Sequence, residues 1–223
     1  MGLFAIGDIH GTSGALQTLL DQPIFGAEDT IVFLGDYVNK GPDVKGTIER
    51  LIDFSKDHQA IFLKGNHEIM MLQARNNQNL LPQWLFSGGD TTLDAYQIGD
   101  MSDWHLRIPQ EHWDFLESCQ PYYASDGNIF VHAGLESGVP LNEQHRVNLY
   151  WKSYPEPKPY VPNKTVICGH TSRKNGLIAD FGHTICIDTF AWGGQWLTCL
   201  ELESRQYWQT RENGEIRKGS LDQ

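Results

Sequence analysis

Six side chains of metal-ligating type stand in five short clusters along the chain. They are Asp8 and His10 in GDIHG, Asp36 in GDYVNKG, Asn66 in GNHE, His132 in HAG and His170 in GHT. Two carboxylates, one amide and three imidazoles make a mixed oxygen and nitrogen set. Such a set suits Mn2+, Fe or Zn2+ better than Ca2+, which prefers oxygen throughout, or an ion that prefers thiolates. One carboxylate can bridge two cations about 3.5–4 Å apart, the arrangement used for phosphoryl displacement. The glycines beside the ligands allow sharp turns and close approach of a phosphate. Any single cluster has a plainer reading, because an Asp after a strand is usually a turn or cap residue. The same plain structural role is assigned to His58, His105, His112, His145 and His183. Chance does not account for five such clusters, each following an apolar run.

The elements that must position these residues read as α/β. Residues 3–6, 30–34 and 60–63 are short apolar runs, each ending in a polar loop and followed by a helical pattern. Thr12 or Ser13 is the expected cap of the first helix and Asp43 of the second, whose inner stripe is Ile48, Leu51, Ile52 and Phe54. Strand, loop and helix repeated three times imply parallel strands joined by crossover helices. The carboxyl ends of such strands converge on one crevice, so the first three clusters should meet in space. Residues 76–120 read as a helical insertion with Trp84, Trp104 and Trp113 in its core. From Pro121 the pattern turns to strands, with a hairpin about Asp126-Gly127-Asn128 and further strands at 165–168, 184–187, 197–202 and 206–209. Residues 155–162 read as an irregular connector, and the polar tail from Arg211 as frayed. The whole of 1–223 is taken as a single domain.

Composition narrows the function. A formal net charge of -11 repels nucleic-acid backbones, so nucleic acid is not an expected partner. Cys119, Cys168, Cys186 and Cys199 form no CxxC pair and are expected to be buried free thiols. The chain shows neither a signal-peptide pattern nor an apolar stretch of transmembrane length. A cytoplasmic location without a membrane partner is therefore expected.

In this order, GDIHG, GDYVNKG, GNHE, HAG and GHT resemble the signature of the phosphoprotein phosphatase (PPP) family of metallophosphoesterases. The likeness is greatest to its small bacterial and phage members and to the symmetrical diadenosine tetraphosphatases. It spans residues 7–171, and Gly88-Gly89-Asp90-Thr91-Thr92-Leu93 and Ile187-Asp188-Thr189 also look like the bacterial branch. The resemblance implies two mixed β-sheets packed face to face with helices outside. It implies that Asp8, His10 and Asp36 bind one metal, that Asp36 bridges to a second, and that Asn66, His132 and His170 complete it. It further implies that a metal-bridging water attacks phosphorus in line, with His67 as general acid at the leaving group. The cofactors expected are two divalent cations, Mn2+ first.

The second motif departs from the family's usual GDxVDRG. Asn39 stands where the family has Asp, and Lys40 where it has Arg. Asn39 can orient His67 but cannot support an imidazolium by charge. Lys40 is a point charge without the two-pronged grip of a guanidinium. A second phosphate-binding Arg is also missing after Trp151, where Lys152 and Ser153 follow; Arg146 and Arg173 are candidate substitutes. Glu68, Tyr37 and Tyr150 are read as structural, and Arg173 and Lys174 as exposed. The expected function is hydrolysis of phosphate monoesters by a protein phosphatase, with a phosphorylated protein or small phosphoester as substrate. The alternatives are a diadenosine polyphosphate hydrolase and a weakly active scaffold that binds phosphorylated partners.

Overall fold

The computed structural model describes residues 2–222. The first half alternates strand and helix: β1 (Leu3–Ile6), α1 (Ser13–Leu20), β2 (Thr30–Phe33), α2 (Val44–Asp57), β3 (Gln59–Phe62) and α3 (Asn66–Asn76). Short helices α4 (Leu81–Trp84), α5 (Asp90–Ala95) and α6 (Gln110–Ser118) follow within the stretch read as an insertion. The second half holds β4 (Tyr122–Ala124), β5 (Asn128–Val131), α7 (Arg146–Tyr150), β6 (Thr165–Cys168), β7 (Ala179–Asp180), β8 (Thr184–Cys186), β9 (Leu197–Glu201), β10 (Gln206–Thr210) and β11 (Ile216–Ser220). One sheet has the order β11-β10-β9-β1-β2-β3, with β1, β2 and β3 parallel. The other has the order β4-β5-β6-β8-β7, with β5, β6 and β8 parallel.

Period-two burial explains why these two sheets stack. Ala5, Val32 and Leu200 of the first sheet meet Phe130, Ile167 and Ile185 of the second in one buried cluster. Their strand neighbours point the other way. Phe4, Ile6, Ile31 and Phe33 pack under α1 and α2 and the insertion, and Ile129, Val131, Val166 and Cys168 pack on the far side with Leu149 and Tyr150. Successive side chains on a strand face opposite sides, so each apolar run is buried twice over. The architecture is the expected α/β one of two mixed sheets flanked by helices. Trp84, Trp104 and Trp113 are buried, and the rings of Trp84 and Trp104 stack at 4.7 Å.

Two local expectations are corrected. Asp43 does cap α2, accepting from the Gly46 N–H at 2.8 Å. Thr12 and Ser13 do not cap α1, because the Thr12 hydroxyl turns back to the Ile9 carbonyl at 2.6 Å. The first turn of α1 is capped instead by Glu212, whose carboxylate accepts from the N–H groups of Gly14 and Ala15 at 3.1 Å each. The tail that carries Glu212 is not frayed. β11 pairs antiparallel with β10, and the Arg211 and Arg217 guanidinium groups lie 4.0 and 4.3 Å from the Trp196 ring centroid. Two cation–π contacts and a cap hold a segment whose composition alone reads as solvated. All four cysteines are free and buried. Among the described residues no helix is long and apolar enough to cross a membrane.

Candidate metal centre

Both sheets deliver their carboxyl ends to the same place. The loops after β1 and β2 carry Asp8 and His10, and Asp36; Asn66 opens α3 just after β3; the loops after β5 and β6 carry His132 and His170. The backbone there is strained. His10, Asp36, Asn39, Lys40 and His170 all have left-handed φ, between 49° and 70°. For non-glycine residues that costs about 1–2 kcal/mol each, so packing must hold them. Glycine is required where these loops touch. A Cβ on Gly65 would fall onto the Asp36 carboxylate, and one on Gly169 onto that of Asp8.

Glu68 is the main restraint on the second loop. It is fully buried, and its two oxygens accept from the N–H groups of Asp36, Tyr37 and Gly65 at 2.8 Å each and of Val38 at 3.2 Å. Burial and the Asp36 carboxylate push its carboxyl up to about 7, against the pull of these backbone donors. Glu68→Ala strands four buried donors, each costing roughly 1 kcal/mol or more. We expect a loss of about 4 kcal/mol or more in urea denaturation followed by circular dichroism. A midpoint within experimental error of the parent would refute the clamp.

The histidines show what their inner nitrogens are for. His10 Nδ1 lies 2.9 Å from the Val38 carbonyl, His132 Nδ1 2.9 Å from that of Leu34, and His170 Nε2 3.0 Å from that of Trp151. Carbonyls only accept, so these nitrogens carry the ring hydrogens and the opposite nitrogens present lone pairs to the centre. Burial lowers the pKa of His132 and brings His170 down to about 4, which keeps both lone pairs free at neutral pH. His132 Nε2 and His170 Nδ1 both face Asn66 Oδ1, at 3.0 and 3.1 Å. Three acceptors at hydrogen-bond distance without a donor call for a positive centre between them. Asp8 gives the same signal. Burial, then the Asp188 and Asp36 carboxylates, push Asp8 well above its usual range. Burial also raises Asp36, but the imidazoles of His132, His67 and His10 outweigh it and hold Asp36 well below the usual carboxylate range.

Two sets of ligand atoms lie mutually within 4.8 Å: His10, Asp36 and His67, and Asp36, His132 and His170. They share Asp36, whose Oδ2 is 3.3 Å from His10 Nε2 and whose Oδ1 is 3.4 Å from His132 Nε2. Asp8 falls in neither set and accepts from the His170 N–H at 3.1 and 3.2 Å. Each set could hold a metal ion, and the two meet at the Asp36 carboxylate.

Asn39 is fully buried, and its orientation is fixed. Its Oδ1 accepts from Trp84 Nε1 at 3.0 Å and from Thr92 Oγ1 at 2.9 Å. An indole N–H can only donate, so the amide nitrogen is left to face His67 Nδ1, 2.8 Å away. Asn39 donates to the ring, and the ring hydrogen of His67 sits on Nε2. An Asp in this place would accept from Nδ1–H, so the substitution reverses the polarity of the contact. Burial sets the His67 pKa well below its usual value, and His10, Lys40 and His132 add to the shift against the pull of Asp36. Lys40 Nζ lies 3.3 Å from His10 Nε2 and 4.7 Å from the Trp192 ring centroid.

The remaining sequence candidates lie elsewhere. His58 stacks on Phe54, His112 meets the Tyr96 hydroxyl at 2.6 Å, His145 caps α7, and His183 lies beside Thr184. Arg146 lies over the Tyr150 ring. Arg173 is half-buried rather than exposed and reaches the Pro155 carbonyl at 3.3 Å. Sequence reasoning named Asp188 within Ile187-Asp188-Thr189 but gave it no role; it is buried after β8 and hydrogen-bonded by Ser172 at 2.5 Å. The signal for a role was an acid closing an apolar strand, the one used for Asp8 and Asp36. Sequence reasoning missed Phe86 and Trp192, which line a cleft of about 440 Å³ with Lys40, His67, Ser87 and Gly88.

The profile of the calcineurin-like phosphoesterase family matches residues 1–190. The chain belongs to that family. Among curated phosphoesterase relatives, the symmetrical bis(5'-nucleosyl)-tetraphosphatase of Pseudomonas syringae pv. syringae is 30% identical over 139 residues, 60% of this chain and 42% of that protein. The enzyme of the same description from Ectopseudomonas mendocina is 35% identical over 112 residues, 48% of this chain and 38% of that protein. This chain thus spans about two fifths of the length of the curated relatives it matches. In three dimensions it is similar to a protein provisionally assigned as a diadenosine tetraphosphatase, with TM-score 0.68 and 21% identity over 98% of this chain and 92% of the other. It is also similar to the cold-active protein-tyrosine phosphatase of a psychrophilic Shewanella, with TM-score 0.63 and 17% identity over 97% of this chain and 80% of the other. At these identities the structural likeness speaks for the phosphoesterase fold alone.

Proposed function

We propose that this phosphoesterase uses two divalent cations to hydrolyse a phosphate bond whose leaving group departs as a stable anion. The observation that carries the reading is the Asp36 carboxylate, shared by the sets His10–Asp36–His67 and Asp36–His132–His170; with His67 kept for the leaving group, Asp8 takes its place at the first cation. Asp8, His10 and Asp36 would hold one cation, and Asn66, His132 and His170 the other with Asp36 shared. When bound, such ions supply Lewis-acid charge for the phosphoryl oxygens and a nucleophilic water at neutral pH. The chain's own groups do the rest. Lys40 neutralises phosphoryl oxygens, and His67 offers Nε2–H to the departing oxygen. Asn39, held by Trp84 and Thr92, keeps that hydrogen on Nε2.

The substrate class favoured is a dinucleoside polyphosphate. Splitting a phosphoanhydride leaves a phosphate oxygen of pKa about 6, which needs no proton from the enzyme. That chemistry matches a His67 without a charged partner, and curated relatives at 30–35% identity carry that activity in their description. The protein-phosphatase reading rests on the fold alone, through neighbours below 25% identity. Four free thiols agree with a reducing, cytoplasmic setting.

Metal analysis and a substrate panel test the proposal together. The purified chain is expected to carry two divalent cations. Chelation should remove both metal and activity, and Mn2+ should restore activity. In the panel, diadenosine tetraphosphate should be hydrolysed faster than aryl phosphate, and aryl phosphate faster than phosphoserine peptide. Full turnover in excess chelator would overturn the metal assignment, and a preference for phosphoserine would overturn the substrate assignment.

A further inference from the structure

The cleft beside His67 has a feature that phosphate chemistry does not call for. Phe86 is 95% exposed, on the wide turn Leu85–Gly89 between α4 and α5. Burying a phenylalanine gains about 2 kcal/mol, so leaving one in water beside a reactive site is a cost without return in the free protein. The turn that carries it is tied to the second motif, because the Lys40 N–H donates to the Gly88 carbonyl at 3.1 Å. Gly88 itself has φ of 91°, a conformation that suits glycine. Trp192 approaches from a different element, the turn Ala191–Gly193 after Asp188. It is 37% exposed, braced edge-on by Phe190 at 4.7 Å, and set against His10 at 6.2 Å. Both rings line the cleft of about 440 Å³ whose other walls include Lys40 and His67. One end of the cleft is therefore cationic and hydrogen-bonding, and its sides are aromatic.

We infer that Phe86 and Trp192 form a binding site for a planar aromatic group joined to the reacting phosphate, and that this group is a nucleobase. The nucleobase assignment rests on the anhydride reading above; the aromatic site rests on the two rings alone. Lys40 joins the two halves of the site, since its ammonium faces both the metal-ligand cluster and the Trp192 ring. A base slotted against Phe86 and Trp192 keeps its phosphate chain at the Lys40 end. Stacking of this kind tolerates any base, because every base has a π face.

Equilibrium binding to the Mn2+-loaded protein tests the site without requiring turnover. ADP and pyrophosphate share a diphosphate and differ in the nucleoside. The parent protein should bind ADP at least about tenfold more tightly than pyrophosphate by calorimetry. Phe86→Ala should lose about tenfold in ADP affinity while pyrophosphate affinity and metal content stay as they were, and Trp192→Ala, whose ring also lies against Lys40, should lose more in ADP than in pyrophosphate affinity. Because Phe86 is exposed, its variant carries no folding penalty, and Phe86→Tyr should retain the ADP preference. Equal binding of ADP and pyrophosphate by the parent overturns the inference, as does an ADP preference that survives both alanine variants. Phenyl phosphate against inorganic phosphate separates the ring sources. A gain from phenyl without one from the nucleoside overturns the nucleobase assignment. Ring-dependent ADP binding without hydrolysis of diadenosine tetraphosphate supports the site and overturns the activity proposed above.

Discussion

Asp36→Asn is expected to lower kcat by about 10³-fold or more and to leave the protein with about half its metal. The reasoning is electrostatic. Two dications near one another repel strongly, and the shared carboxylate is the one negative group that both ligand sets contain. Asp36 is held well below the usual carboxylate range, so its ionised form is already the one present at neutral pH. An amide of the same shape keeps the steric fit but supplies neither the charge nor a second anionic oxygen. The fold should survive, because the Asp36 N–H stays on Glu68 and its carbonyl still accepts from His10 and Ile9 at 2.7 and 3.2 Å. Elemental analysis, turnover and a thermal melt on the same preparation separate these effects. Near-parental turnover would remove Asp36 from the bridge. A loss of turnover with a collapsed melting temperature would make its role structural. His183→Ala, far from the cluster, should change neither metal content nor kcat.

The parts of this architecture legible in the sequence are those written locally. An apolar run closed by Gly-Asp or Gly-Asn gave away β1, β2 and β3 and the ligands at their ends, because parallel strands buried on both faces leave little else to read. The hairpin of β4 and β5 was legible for the same reason, with its turn residues between two apolar runs. What stayed hidden depends on partners distant in the chain. The cap of α1 comes from Glu212, 198 residues beyond Gly14, so the Thr12-Ser13 pair was a false local signal. Asn39 shows the same limit within the site. Its residue type predicted a neutral partner for His67, but the direction of the amide is set by Trp84 and Thr92, 45 and 53 residues away in the helical insertion. Trp84 was read as core, and it is, yet its N–H also decides which way Asn39 faces. Phe86 carries no signal in the sequence; the turn at Gly88 places it in water beside Lys40.

Asn39→Asp is expected to raise kcat/KM for phosphoserine peptides by about 10², while diadenosine tetraphosphate and aryl phosphates change by less than about tenfold. Trp84 Nε1 and Thr92 Oγ1 would still donate to one carboxylate oxygen, so the new side chain should keep its place. The second oxygen would then accept where the amide nitrogen now donates. His67 could carry a hydrogen on Nδ1 as well as on Nε2, and the added negative charge would raise its pKa from a value that burial now holds well below the usual one. The protonated ring can give up a proton, which an alkoxide leaving group needs in the transition state. A phenoxide of pKa about 10 needs this less, and a phosphate of pKa about 6 hardly at all. The sign of the pH effect follows. An acid must be protonated to act, so a raised His67 pKa should carry alkyl-ester hydrolysis to higher pH in the variant than in the parent. Profiles of kcat/KM from about pH 6 to 9 for both substrate types read out the selectivity and the pH shift together. A uniform gain on all substrates, or a parent that already prefers phosphoserine, would show that Asn39 does no more than hold the ring in position. A selective gain confined to basic leaving groups would tie the Asn at position 39, and the indole and hydroxyl that orient it, to the choice of substrate.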